Sequence, residues 1–323
     1  MEEARTASGG DTAVLLPGQG AQEVGMGRSL ADRHPEAGRL WEEAERILDV
    51  PLRRLCWEGP AEELTATENA QPAILLHSYA VWRSLPGEVR DAVGVAAGHS
   101  LGEFTAYLVA GALSFEDALR LVRRRGELMA RSREGTMAAV LGLDDAGVSE
   151  ACAEAGGVVV PANFNAPGQV VISGEAEAVR RAGERAEEAG ARRVVELDVS
   201  GAFHSPLMEV AREGLAEALR EVEFRDPAFP VVANVDAEPV RDGAGARERL
   251  IRQLTSPVRW VDVMERMRST GPDRWLELGP GRVLAGLARR IDRSLGVESL
   301  GSAEDLEGLT AGTASGEGRS EDG

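Results

Sequence analysis

The chain has 323 residues, 43% hydrophobic and 28% charged, with a formal net charge of −18. That length suits one large domain carrying an insertion, or two ordinary ones, and the charge argues against nucleic acid and anionic membranes as partners. All 36 basic residues are arginine, so a Schiff-base or pyridoxal-phosphate lysine and a Walker phosphate loop are excluded, each needing an amine.

Residues 1–10 and 301–323 are rich in Gly, Ser, Thr and acids and are expected to be disordered tails. The first residues lack a signal-peptide pattern, and no apolar run approaches the ~20 residues that span a bilayer. Thr12 to Leu16 reads as a buried strand closed by Pro17-Gly18. Helical spacing follows over Arg28 to Leu48 and Gln71 to Leu85. Val93 to Ala97 is a second buried strand, running into Gly98-His99-Ser100-Leu101-Gly102 and then an apolar helix to Ala110. Phe115 to Ala130 is an Arg-rich helix. From Met137 the texture changes: strand 137–143, helix 146–155, strands 158–162 and 169–173, helix 175–189, strand 193–197. That β-α-β-β-α-β order is ferredoxin-like, so an inserted α+β subdomain is placed at 136–198. Helix 205–221, strand 229–235, helix 246–254, strand 275–278 and helix 283–291 complete the chain. The expected fold is α/β with a mostly parallel sheet, built from 11–135 and 199–300, with its site at the carboxyl ends of strands. Cys56 and Cys152 stand far apart and in no metal or redox spacing, so no disulfide framework, no metal site and a reducing cytoplasm are expected; no bound cofactor is expected either.

Gly98 to Gly102 fits G-x-S-x-G, in which the glycines permit a sharp strand-to-helix turn that projects the serine. A Ser that merely caps the helix would fit the same five residues. A serine nucleophile needs a base, and the chain holds four histidines. His34 and His77 lie in predicted helices as partly exposed structural residues. His99 adjoins the serine on a turn whose side chains diverge. His204, in a loop between strand and helix, is left as the base, with a structural role the alternative. An ordinary α/β-hydrolase is disfavoured, because its His follows the acid near the C-terminus and no His follows residue 204.

These residues sit among further motifs: Pro17-Gly18-Gln19-Gly20-Ala21-Gln22, Gln71-Pro72-Ala73, GHSLGE at Gly98 to Glu103, Arg125-Gly126, Asn165 with Pro167 to Gly174, GAFHSPLM at Gly201 to Met208, and Glu277 to Gly281. Together, over Ala13 to Ile291, the chain resembles the malonyl-CoA:acyl-carrier-protein transacylase family, discrete acyltransferases of fatty-acid or trans-acting polyketide type. The resemblance implies a hydrolase-like large subdomain with the ferredoxin-like insert. It implies that Ser100 takes the malonyl group as an ester, that His204 is its base, and that the N–H groups of Gln19 and Leu101 hold the oxyanion. It places the backbone carbonyl of Gln253 behind His204, so a dyad is expected and no triad Asp. It assigns the malonyl carboxylate to Arg125, whose fork suits a carboxylate, with Gln71 and His99 lining the same pocket and the neighbouring Arg123 and Arg124 facing solvent. Phe203 before the His accompanies malonyl use in related polyketide enzymes, although Gly201 departs from their HAFH pattern. The substrate implied is malonyl-CoA, the partner a monomeric enzyme's acidic holo acyl carrier protein with its phosphopantetheine. Arg192 with Arg193, and Arg289, Arg290 and Arg293, are candidate docking residues. An acyl-carrier hydrolase on the same scaffold, a methylmalonyl transacylase and a non-catalytic carrier-binding protein are the competing readings.

Overall fold

The structure is a computed structural model in which residues 10–132, 134–199 and 201–314 are described, the last five as backbone only. The first part of the chain runs β1 (Thr12–Leu16), α1 (Arg28–Arg33), α2 (Pro35–Leu48), α3 (Leu52–Glu58), α4 (Ala61–Thr65), α5 (Thr67–Ser84), α6 (Gly87–Asp91), β2 (Val93–Gly98), α7 (Leu101–Val109) and α8 (Phe115–Arg131). Next come β3 (Thr136–Leu141), α9 (Asp145–Glu154), β4 (Val159–Ala166), β5 (Gln169–Gly174), α10 (Ala176–Glu188) and β6 (Arg193–Glu196). After a 3-10 turn at Pro206–Met208 follow α11 (Glu209–Glu221), β7 (Val231–Val232), β8 (Pro239–Val240), α12 (Gly243–Gln253), α13 (Trp260–Ser269), β9 (Arg274–Leu278), α14 (Val283–Ile291), β10 (Val297–Leu300) and α15 (Ala303–Ala314).

A six-stranded sheet has the order β10-β9-β1-β2-β7-β8, parallel except for the β7-β8 hairpin at its edge. Its central strands are apolar on both faces because helices cover both: Leu16 and Ala96 face one core, Leu15 and Ala97 the other. The second sheet, β4-β5-β3-β6, is antiparallel and carries α9 and α10 on one face, where Val148 and Val179 of the helices pack with Val140 and Ile172 of the strands. That is the ferredoxin-like order. The two parts are stitched by main chain: Val258 donates to Ala162 at 2.8 Å and accepts from Phe164 at 2.9 Å. The stitch fixes β4 beside the loop after α12, and the cleft described below opens there.

Several expectations are corrected. The helix expected over 28–48 is two helices, broken at His34, because Pro35 disfavours helical backbone in the residue before it. The strand expected over 229–235 shrinks to two residues. The chain turns back at Ala237, in the left-handed region at φ 55, and Asn234 leaves the ladder to bond elsewhere. The tail expected from 301 begins with a helix: Ser302 Oγ accepts the N–H of Asp305, Asp305 accepts those of Gly301 and Ser302, and Ala303, Leu306 and Leu309 are buried. A cap and an apolar stripe at i, i+3 outweigh the polar composition. Residues 1–9 and 315–323, also read as tails, lie outside the described residues.

His77 is not partly exposed; it is 2% exposed, and its Nε2 meets the Gly301 carbonyl at 2.7 Å, anchoring the start of α15. Burial pushes its pKa down to about 4. An unfolded imidazole takes up a proton near 6.5, so full stability is present above that pH and is lost as pH falls toward 4, where the folded state also protonates. The expected loss is about 3 kcal/mol from this residue. Urea unfolding of His77→Gln against wild type at pH 7 and pH 5 checks it: the variant should lose less stability on acidification, and equal losses would contradict the assignment.

Candidate active site

Strand β2 ends at Gly98 and α7 starts at Leu101, so the chain reverses within two residues. A Cβ on Gly98 would lie 1.9 Å from the backbone of Gly102, and one on Gly102 would lie 2.1 Å from the Leu16 carbonyl. Both positions therefore require glycine. Ser100 at the apex takes φ 51, a conformation disfavoured for any residue with a Cβ. Asn234 holds it there: its Oδ1 accepts the Ser100 N–H at 2.7 Å and its Nδ2 donates to the Gly98 carbonyl at 2.8 Å.

Ser100 Oγ lies 2.7 Å from His204 Nε2. His204 Nδ1 faces two carbonyl oxygens, Gln253 at 3.0 Å and Ser256 at 3.2 Å. Carbonyls only accept, so Nδ1 carries the hydrogen and the lone pair of Nε2 is turned to the hydroxyl. Burial, and then the Arg125 charge, push the His204 pKa down to about 3, so the ring is a neutral acceptor at neutral pH. Among the described residues no carboxylate is bonded to the ring.

Arg125, on α8, is 1% exposed. Its Nη2 donates to Ser100 Oγ at 3.0 Å and to Gln253 Oε1 at 3.1 Å, and its Nη1 to Gln71 Oε1 at 2.9 Å. Its Nε–H has no partner among the described residues. Burial lowers its pKa to about 10, which leaves it charged at neutral pH. Among the described residues it makes no ion pair, although the Glu103 carboxyl favours its charge, and a buried cation so placed is costly unless an anion arrives. The neighbouring Arg123 does not simply face solvent: it ties α8 to α5 through the Glu68 carbonyl and Asn69, and pairs with Glu127.

A cleft of about 350 Å³ opens over these groups, lined among others by Gln19, His99, Ser100, Leu101, Arg125, Met129, Met137, Phe203 and His204. Leu101 opens α7, so its N–H has no partner within the helix, and the α7 N-terminus favours negative charge at Ser100. Gln19 is held by Thr67, whose hydroxyl donates to its Oε1 at 2.7 Å. His99 points away from the serine; its Nε2 meets Asn165 Oδ1 at 2.8 Å. Gln71 does not line the cleft. It is fully buried behind Arg125, between Thr67 and Met129. Arg192, Arg289, Arg290 and Arg293 share a separate surface groove between the two subdomains, and Arg193 lies outside it.

Sequence reasoning assigned no role to Asn234, Ser256 or Glu103. Asn234 was legible as a polar residue in an apolar run, and Glu103 as a charge at the start of an apolar helix. Ser256 acts through its main chain, which no side-chain pattern reports.

Residues 14–304 match the family described as acyl transferase domain. The malonyl CoA-acyl carrier protein transacylase of Bacillus subtilis is 44% identical over 301 residues, covering 91% of this chain and 95% of the relative. That of Escherichia coli K12 is 45% identical over 293 residues, covering 89% and 95%. Among solved structures, the malonyl-CoA:acyl carrier protein transacylase of Xanthomonas oryzae pv. oryzae superposes with TM-score 0.90 at 44% identity, covering 94% of this chain and 98% of that one. A malonyl-transacylase in complex with its type II polyketide synthase acyl-carrier protein also gives 0.90, at 41% identity, covering 94% and 99%.

Proposed function

The chain belongs to the acyl transferase family, and on that premise we propose that it moves a malonyl group from malonyl-CoA to the phosphopantetheine thiol of an acyl carrier protein through an ester on Ser100. One observation carries the reading: the Ser100 oxygen meets both a neutral imidazole, at 2.7 Å, and a buried guanidinium, at 3.0 Å, at the base of one cleft. Ser100 Oγ attacks the thioester carbonyl as its proton passes to His204 Nε2. The oxyanion rests on the N–H groups of Gln19 and Leu101, a donor of this kind contributing about 3 kcal/mol. The C–S bond breaks, and CoA leaves as the thiol with the proton from His204. The carrier thiol then gives its proton to His204 and attacks the ester, and Ser100 recovers its hydrogen.

Arg125 takes the free malonyl carboxylate, which supplies the anion its burial calls for. Phe203, against the same cleft, narrows the space for a methyl branch and favours malonyl over methylmalonyl, a preference of about 1–3 kcal/mol per methylene at most. The groove of Arg192, Arg289, Arg290 and Arg293 offers four cations and no acid on a chain of net charge −18, a surface suited to an acidic carrier.

The test uses radiolabelled malonyl-CoA with and without holo carrier. About one label per chain should survive denaturation, and addition of carrier should discharge it to the carrier thiol. Rapid release of free malonate without carrier would instead identify a hydrolase, and absence of retained label would remove the ester.

A further inference from the structure

We propose that Glu103 is a positioning residue for acyl transfer: it fixes which end of the Gln253 side-chain amide faces Arg125, and thereby the direction of the guanidinium. This rests on the reading of Arg125 as partner of the malonyl carboxylate. Glu103 lies three residues past Ser100, in the first turn of α7, fully buried and outside the cleft lining. Its Oε2 accepts the main-chain N–H of Asn234 at 3.1 Å and the Nε2–H of Gln253 at 2.8 Å.

A main-chain N–H has no second orientation, so Oε2 is an acceptor whatever the charge on the group. Burial pushes the carboxyl up to about 7, so both protonation states are populated near neutrality. A proton on Oε1, which has no partner among the described residues, leaves the acceptor role of Oε2 intact.

A side-chain amide has two orientations that exchange oxygen and nitrogen. With its nitrogen toward Glu103, Gln253 also donates to the Ser100 carbonyl at 2.9 Å, and its Oε1 accepts from Arg125 at 3.1 Å. Turned round, its oxygen would face two acceptors and its N–H groups would face the guanidinium. Three bonds would become three repulsions. Glu103, together with the Ser100 carbonyl, thus selects the orientation that holds Nη2 of Arg125, while Gln71 holds Nη1. The Gln253 main-chain carbonyl holds His204 in addition, so one residue, locked by Glu103, supports both the base and the carboxylate fork.

The experiment measures kcat/KM for malonyl-CoA and acetyl-CoA with holo carrier, alongside thermal unfolding. Glu103→Met is expected to lower malonyl transfer by about 30-fold and acetyl transfer by less than about 5-fold. Glu103→Gln offers an oxygen to the same two N–H groups; it should slow both reactions through loss of charge yet restore the malonyl-to-acetyl ratio to within about 3-fold of wild type. Gln253→Met should reproduce the altered ratio, and adding Glu103→Met to it should change the ratio no further. An equal fall for both acyl groups in Glu103→Met, or an unchanged ratio in Gln253→Met, would overturn the inference. If Glu103→Met does not fold, Glu103→Ala, which also removes the acceptor, takes its place with the same expected ratio change, and an unchanged ratio there would overturn the inference. A wild-type protein with no malonyl preference would overturn the reading of Arg125 instead, before any variant is compared.

Discussion

Ser100→Ala should retain no acyl label after incubation with malonyl-CoA and denaturation, and its transfer rate should fall by a factor on the order of 10⁴ or more. The size follows from covalent catalysis: without the hydroxyl there is no ester, and the remaining cleft can only bring thioester and carrier thiol together. The substitution should leave the fold in place. It removes one oxygen, while the turn is held by Gly98, Gly102 and the two bonds from Asn234 to main-chain atoms, none of which uses the serine side chain. Mass spectrometry of the intact protein and a melting curve measure the two halves of the prediction. A variant that still gains the mass of a malonyl group would move the nucleophile elsewhere.

Arg125→Ala should separate two substrates that differ by one charge. A carboxylate brought into a buried site without its cation costs about 3–5 kcal/mol, so malonyl transfer should drop by about a thousandfold. The acetyl group brings no charge to Arg125, so transfer from acetyl-CoA should be spared, or improved by the space released. The base is not expected to suffer, because the Arg125 charge is the second cause, after burial, of the depressed His204 pKa. Its removal lets that pKa rise toward the ordinary range, making the imidazole more basic. Steady-state kinetics with both thioesters decides the matter, and an equal loss for both would mean that Arg125 supports the serine rather than the carboxylate.

The sequence was most informative where local chemistry is decisive. The apolar run into Gly98-His99-Ser100-Leu101-Gly102 announced a strand, a tight turn and a helix, because only glycine tolerates the backbone contacts at its two ends. The ferredoxin-like part was readable from the alternation of strand and helix signals. Arg125 was a different case: its residue type and helix said nothing about burial, and only the resemblance singled it out from Arg123 and Arg124. The tail after residue 301 misled because composition averages over a cap and a buried stripe that occupy a few positions each.

By itself the sequence determined the two central strands, the helices that flank the turn, the elements of the insert, the nucleophile turn and, through there being four histidines, the small set from which the base had to come. The tertiary structure decided which of these groups meet. It brought residues 100, 125, 204 and 253 to one point, buried Gln71 behind the arginine rather than in the cleft, and set Glu103 and Asn234 beneath the turn. The physical reason is that periodicity encodes which face of an element is covered, whereas hydrogen-bond partners a hundred residues apart are fixed by sheet order and helix packing. A buried amide or carboxylate finds its role only when its neighbours' donors and acceptors are in place around it.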